Sequence, residues 1–506
     1  MRLIARLMNF LLVRFACACC ALGWLLAPTV VVAADTTRPN IVLIFADDLG
    51  YSDVGCFGAK DIRTPNIDRL ATDGTRFTSF YVSQPVCTAS RASLMTGCYA
   101  NRIGLAGALN HTSKIGIHSD EVLLPELLQQ RGYATGIFGK WHLGHRPEFS
   151  PLRHGFNEFL GIPYSNDNGP LHPVVTTIPS LPFIDGEKTA ELDPDQSQFT
   201  RRLTECACAF LSTNKDRPFF LYLPHIMPHV PIFASEKFKG RSARGVYGDV
   251  VEELDWSVGE IVAALKRLNL EENTLLIFTS GNGPFLSYGE HGGSATPLRE
   301  GKLTTFEGGV RTPCLMRWPK TIPAGRTCDE PVASIDLLPT IAKLINAPLP
   351  KHPIDGLDVW PILAGHPNAR TPHGSLLFFS GDELQAIRSG DWKLHFAHDY
   401  LTVAGPPGRA GKPANFENMK PKSIEESGIR GIASRHGYEV RRLEQSLFNL
   451  KDDLGESRDV AKQNPEVVRR LESLAETARN DLGDSLTNRR GAEVRVAGRV
   501  AESSRD

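Results

Sequence analysis

The chain has 506 residues, enough for one large domain and a smaller one around an ample apolar core. Its 56 Lys and Arg residues against 57 Asp and Glu leave a formal net charge of −1, which excludes a nucleic-acid partner recruited by bulk charge. With 41% hydrophobic residues the composition is ordinary for a globular protein.

Arg2, Arg6 and Arg14 precede an uncharged run, residues 15–34, that closes on Ala33 and Ala34. This is the pattern of a secretory signal over residues 1–34. The run is also long enough to span a bilayer, but Gly23, Pro28 and the closing alanines favour cleavage. The expectation is export to a periplasmic, secreted or lumenal location, with no stable membrane association once the signal is removed. Cys17, Cys19 and Cys20 would leave with it, and Cys56, Cys87, Cys98, Cys206, Cys208, Cys314 and Cys328 would stay.

Residues 40–46 form a continuous apolar run rich in branched side chains, which predicts a strand buried on both faces. Asp47 and Asp48 follow it directly. Adjacent carboxylates at a strand end stand for a turn or for a cation, and an isolated pair before Leu49-Gly50 is more often the turn. A short helix starts at Pro65, a strand covers 76–82, and 123–130 is helical. The strand 133–138 ends in Gly139-Lys140-Trp141-His142-Leu143-Gly144. Residues 161–167 read as a polar loop, and 171–198, proline-rich with little periodicity, as a long surface excursion. A helix over 199–213 leads to a buried strand, 218–223, followed by a segment carrying His225 and His229. A helix over 250–268 then leads to the strand 275–279, which ends in Ser280-Gly281-Asn282.

Four apolar strands separated by helical segments thus each release polar groups at the carboxyl end: Asp47 and Asp48, Lys140 and His142, His229, and Asn282. In open sheets of alternating strand and helix, ligands bind outside those ends. A smaller domain is expected from about residue 371, with a hairpin over 386–396 turning at Ser389-Gly390-Asp391. A glycine- and proline-rich loop over 405–422, a strand over 445–450 and a helix over 465–482 follow. The polar residues 485–506 are expected to be disordered.

The strongest chemical signal is Pro85 to Gly97, P-V-C-T-A-S-R-A-S-L-M-T-G. A lone cysteine near serine and arginine is usually a small buried hydrophobe. A phosphatase-type thiolate loop needs a wider spacing than the three residues between Cys87 and Arg91. Here the whole segment resembles the signature of the sulfatase family, in which a separate enzyme oxidises the cysteine to formylglycine, an aldehyde whose hydrate is the nucleophile. Four further blocks carry the resemblance from about residue 38 to 484: D-D-L-G-Y-S-D at 47–53, G-K-W-H-L-G at 139–144, G-I-P-Y-S at 161–165 and G-K-L-T-T-F-E-G-G-V-R at 301–311.

The resemblance implies an α/β, alkaline-phosphatase-like fold: a large mixed sheet between helices over 35–370, then a C-terminal α+β subdomain over 371–484 containing an antiparallel sheet. It makes Asp47, Asp48 and Asn282 ligands of one calcium ion, joined by an oxygen of the formylglycine at Cys87. All-oxygen ligation suits such a hard cation. Arg91, Lys140 and Lys302 match groups that hold the diol and the sulfate oxygens. His142 matches the residue that helps the diol release sulfate, His229 the one that binds sulfate and assists the leaving group, and Ser165 a substrate contact. Taken singly, either lysine would be read as a surface charge and both His225 and His229 as structural; His229 is assigned because it precedes Val230-Pro231. Cations around the ester plus an acid for the leaving group are what a transition state that builds charge on the bridging oxygen requires. One hydroxyl of the hydrated aldehyde would attack sulfur and the other would then expel sulfate.

The expected function is therefore hydrolysis of sulfate monoesters, on sulfated carbohydrate or small aryl sulfates, after processing by a formylglycine-generating enzyme. Two alternatives are an inactive relative that binds sulfated glycans and a phosphate or phosphonate esterase of the same fold. One departure bears on the choice: Gly281 stands where the family has an aspartate ligand, which leaves two carboxylates and predicts weakened calcium affinity. Specificity is expected in 171–198 and the C-terminal domain. With Cys87 converted, six cysteines remain, an even number compatible with disulfides in an exported protein, although Cys206 and Cys208 are too close in one helix to bond each other.

Overall fold

The computed structural model describes residues 38–426 and 428–500. The first apolar run is strand β1 (Asn40–Ala46), every residue of which is buried. Its alternate side chains feed two cores: Val42 and Ile44 pack on one face, Ile41, Leu43 and Phe45 on the other, as the two-residue period of a strand requires. Helices Pro65–Asp73, Phe199–Thr213 and Val246–Arg267 cover the first face. Cys87–Thr96, Leu124–Gln130 and Leu337–Leu344 cover the second. A strand wrapped on both faces shows no polar alternation, which is why it reads as one apolar block.

In chain order the strands are β2 (Thr75–Tyr81), β3 (Ile115–Gly116), β4 (Ala134–Lys140), β5 (Glu158–Ile162), β6 (Pro182–Asp185), β7 (Lys188–Leu192), β8 (Phe219–Pro224), β9 (Thr274–Ser280), β10 (Arg311–Arg317), β11 (Arg326–Cys328) and β12 (Val332–Ala333). The large sheet has 11 strands in the order β11-β2-β10-β9-β1-β8-β4-β5-β6-β7, with β12 beside β2. β1 runs parallel to β8 and β9, and β4 to β8 and β5, whereas β10 runs antiparallel to β9 and β2. The expected mixed sheet between helices is therefore present.

Beyond it lie β13 (Leu376–Ser380), β14 (Glu383–Ser389), β15 (Trp392–His395), β16 (His398–Val403), β17 (Tyr438–Leu443), β18 (Ser446–Asn449) and β19 (Gly498–Arg499). β13-β14-β15-β18 make an antiparallel sheet against the helix Pro465–Leu482, and β14 and β15 are the expected hairpin. β16 and β17 pair separately and pack on the helix Ile429–His436. From Pro39 onward the chain is one compact unit, so the change of sheet near residue 371 does not separate two bodies.

Two expectations need correction. Residues 171–198 are not all irregular: β6 and β7 form a hairpin that extends the large sheet at its edge. Both strands are short and β7 is largely exposed, so neither carries an apolar period, and Lys188 and Glu191 suit a solvent-facing edge. The tail is not disordered over 485–500 either. β19 pairs antiparallel with β3, Arg495 N–H donates to the Arg102 carbonyl at 2.6 Å, and the Arg495 guanidinium meets Glu121 at 2.6 Å. Backbone pairing and an ion pair order this segment, with Ala497 and Val500 packed against the second core, and composition does not reveal those pairings. The expected signal over 1–34 and residues 501–506 lie outside the described residues. Among the described residues all seven cysteines are free thiols, and no helix is long and apolar enough to cross a membrane.

Candidate active site

The strand register gathers the chemistry. Ala46 is level with Ser280, and Phe45 with Pro224, so the loops leaving β1, β8 and β9 emerge at one edge, next to the end of β4. Cys87 begins the helix Cys87–Thr96, all of it buried, which stops at Gly97, left-handed at φ 70° with its N–H on the Ser93 carbonyl. Glycine takes this left-handed capping position without the steric cost a Cβ would carry. Asp48 (φ 65°), His142 (φ 63°) and Leu303 (φ 73°) are left-handed without being glycine, a conformation that costs on the order of 1–3 kcal/mol each and gathers at functional sites.

The acids and cations form an interlocked buried set. Lys140 Nζ lies 2.6 Å from Asp47 Oδ2, and Lys302 Nζ 2.7 Å from Asp48 Oδ2. Arg91 donates from Nη1 to the Lys140 carbonyl (2.7 Å) and places Nη2 3.5 Å from Asp47 Oδ1. His229 Nε2 is 3.6 Å from Asp48 Oδ2. Burial opposes ionisation of Asp47, but Lys140 and Arg91 outweigh it and hold the carboxyl far below the usual range. For Asp48 burial wins over His229 and Lys302, and the carboxyl is raised. Burial likewise pushes the Cys87 thiol up, yet Lys140, Lys302 and a contact with His142 bring it well below an ordinary cysteine.

The donor set suits a hard cation. Asn282 Nδ2 donates to Asp48 Oδ1 (2.8 Å) and to the Gly283 carbonyl (2.9 Å), which fixes the amide and leaves Oδ1 free. That Oδ1 and Asp47 Oδ1 are both buried without a hydrogen-bond partner, which calls for an explanation, and an ion bound by oxygen supplies one. Ligand atoms of Asp47, Cys87 and His229 lie within 4.8 Å of one another, with Sγ of Cys87 standing in for the oxygen that oxidation would install. Gly281 adds nothing to the set. A Cβ there would come within 2.8 Å of Phe45 Cε1, and the Phe45 ring also supports the Arg91 guanidinium at 5.0 Å.

Hydrogen bonds assign the histidine protons. His142 Nε2 donates to the Leu109 carbonyl at 2.7 Å, so its proton sits there and Nδ1 is unpartnered. Burial keeps this imidazole below its ordinary pKa. His229 Nδ1 donates to the Val230 carbonyl (2.6 Å) and to Asn166 Oδ1 (3.1 Å). Asn166 is held in that orientation because Nδ2 is committed to Gln196 Oε1 (2.9 Å) and the Pro231 carbonyl (2.8 Å). His229 Nε2 is thereby left facing the site. His225 turns away, to Ser257 Oγ at 3.0 Å.

Cys87, His142, Ser165, His229 and Lys302 line a cavity of about 710 Å³. Asp47, Asp48, Arg91, Lys140 and Asn282 lie behind that wall, all 3% exposed or less, so they act on the cavity through charge and position. Ser165, expected to touch substrate, donates its proton to Asp167 Oδ1. The sequence reading missed Asn166 and Gln196, which fix the orientation of His229, and Asp167, His172 and His436, which line the cavity. Asn166 and Asp167 sit directly after G-I-P-Y-S, the one signal that pointed near them; His172 and Gln196 lie in the stretch taken for surface.

Comparison with known proteins agrees with this arrangement. The family model described as Sulfatase matches residues 39–347, and that described as the C-terminal region of aryl-sulfatase matches 371–496. Arylsulfatase A of Homo sapiens is 44% identical over 382 residues, 71% of this chain and 75% of that protein. N-acetylgalactosamine-6-sulfatase of Canis lupus familiaris is 40% identical over 376 residues, 71% and 72% of the two chains. The crystal structure of the PsFucS1 sulfatase from Pseudoalteromonas sp. aligns with a TM-score of 0.75 at 27% identity, covering 88% of this chain and 91% of that one.

Proposed function

Because the chain belongs to the sulfatase family, we propose that it is an exported hydrolase that splits sulfate monoesters of carbohydrates or phenols into an alcohol and inorganic sulfate. The observation that carries this reading is Cys87 at a helix start, inside a cavity it shares with Lys302, His142 and His229 and backed by Lys140 and Arg91. A maturation enzyme would convert Cys87 to formylglycine, whose hydrate supplies a nucleophilic hydroxyl for sulfur and a second one to expel sulfate. Lys302 holds the sulfate oxygens as negative charge builds on them, and Lys140 balances Asp47 directly behind position 87. His229 gives a proton from Nε2 to the departing alcohol, its other nitrogen being held by Asn166 and Val230. His142 takes up a proton at the free Nδ1 in the second half of the cycle.

Asp47, Asp48 and Asn282 would hold one calcium ion, which supplies positive charge beside the sulfate. With Gly281 in the family's aspartate position, two carboxylates remain, and the ion is held more weakly than by three.

The test starts from protein made with a formylglycine-generating enzyme. The Cys87 peptide should be lighter by the mass lost when a thiol becomes an aldehyde, and the protein should release sulfate from 4-nitrophenyl sulfate. Cys87→Ala should abolish that release, and a chelator should suppress it until calcium is restored. Unmodified Cys87 from the native host, with no sulfate released and sulfated glycans bound, would replace the enzyme by the binding protein.

A further inference from the structure

A sulfate group offers only acceptor oxygens, so the side chains that cradle it must be donors or cations. Lys302 and His229 meet that condition. The next stretch of cavity wall does not. Ser165 gives its hydroxyl proton to Asp167 Oδ1, and Asn168 Nδ2 donates to Ser165 Oγ (3.0 Å) and to Asp167 Oδ1 (3.1 Å). Both oxygens are therefore acceptors with nothing to give an anion. Asp167 lines the cavity at 8% exposure, and its Oδ2 has no hydrogen-bond partner among the described residues. Burial raises the Asp167 carboxyl, but the charge of His229, helped by the hydrogen bond from Ser165, overcomes that and keeps it ionised. A carboxylate there repels sulfate and attracts a hydroxyl.

His172 supplies the complementary group. It lines the same cavity, and its Nδ1 accepts the backbone N–H groups of Val174 (3.0 Å) and Val175 (2.9 Å). The proton must then sit on Nε2, which makes that atom a donor of fixed orientation. An ionised acceptor and a neutral donor in one wall match a hydroxyl, which is both donor and acceptor.

We propose that Asp167 and His172 form a subsite for the alcohol half of the substrate that reads a free hydroxyl next to the sulfate ester, so that the substrate class is a sulfated sugar or related polyol rather than a sulfated phenol or sterol. The proposal rests on the sulfatase reading and narrows it. Methyl galactosides sulfated at O2, O3, O4 or O6 are compared with 4-nitrophenyl sulfate, and the best galactoside with its analogue deoxygenated at the neighbouring carbon. The wild-type enzyme should prefer the hydroxylated sugar by about 10- to 100-fold in kcat/KM, the range for one hydrogen bond to a charged group. In Asp167→Asn and in His172→Phe that ratio should collapse toward unity, whatever happens to the absolute rates. A wild-type ratio near unity overturns the subsite without any variant. So does an unchanged ratio in both variants with all rates lowered together, which would make Asp167 a partner of His229 alone. Absence of sulfate release from every ester, by formylglycine-bearing protein, would sink the sulfatase reading itself and the subsite with it.

Discussion

His225 and His229 lie four residues apart in one short segment and have opposite chemistry. Thr204 Oγ1 donates to the Thr200 carbonyl (2.6 Å), so Ser257 must donate to Thr204 (2.6 Å) and accept from His225 Nε2 (3.0 Å). The chain of donors leaves His225 Nδ1 buried and bare. A second proton there has no acceptor, and burial lowers this imidazole to about 3. A histidine depressed below its unfolded value of about 6.5 stabilises the fold fully above that pH, and the contribution is lost as pH falls toward 3. The loss amounts to roughly 3–5 kcal/mol at the acid end. His225→Gln, which keeps a donor for Ser257 and cannot titrate, should unfold less steeply on acidification than wild type. Melting temperatures from pH 7 to 3.5 decide this: parallel curves would deny His225 the role. The family motif singled out His229 through Val230-Pro231, but the roles of Asn166 and Gln196 were not legible. A buried amide shows its meaning only through what fixes its flip, and its partners here come from residues 196 and 229–231.

At the level of elements, the apolar strands were readable to within two residues because each is covered on both faces. Their carboxyl ends were readable as a group because parallel strands in register must present them together. Pieces too short to carry an apolar period were not readable. β3 and β19 have two residues each, and their pairing ties the tail to the stretch leading from the cavity wall. That stretch includes Leu109, whose carbonyl fixes the His142 tautomer. Gly498 packs so closely that a Cβ would lie 2.8 Å from Phe149 Cε1, so the pairing is built into the fold. Truncation after residue 493 removes the β19 pairing, the Arg495–Glu121 ion pair and the bond to Arg102, a loss of roughly 1–3 kcal/mol. The truncated enzyme should melt a few degrees lower and be cut by proteases within 106–118 while the rest resists. Unchanged proteolysis of that stretch would show that the tail contributes nothing to it.

Across the whole molecule, the two sheets are joined by a buried polar knot that composition hides, since its charges cancel. Lys393 of β15 lies 2.8 Å from Glu307 and 3.1 Å from Glu456, all three fully buried. Glu307 also accepts from Tyr81 of β2 at 2.6 Å and meets Arg311 at 3.2 Å, and its own N–H donates to Glu456 at 2.6 Å. Glu307 follows Lys302 by five residues in T-T-F-E-G-G, so the knot anchors the segment that delivers a cavity lysine. Burial raises the Glu456 carboxyl to about 7, with Lys393 opposing, whereas burial of Glu307 is overcome by Lys393 and Arg311, which bring it to about 2. Lys393→Met leaves both acids without their shared cation, and breaking a buried pair in this way costs about 3–5 kcal/mol. Glu456→Gln in the same chain removes the acid that is already easiest to neutralise, so the double variant should recover part of that loss. Melting temperatures of the two singles and the double give the coupling directly. A deficit in the double equal to the sum of the singles would mean that the three groups are neighbours without being a unit. Recovery would identify the charge balance at Lys393 as what holds the smaller sheet, and with it the Lys302 segment, in place.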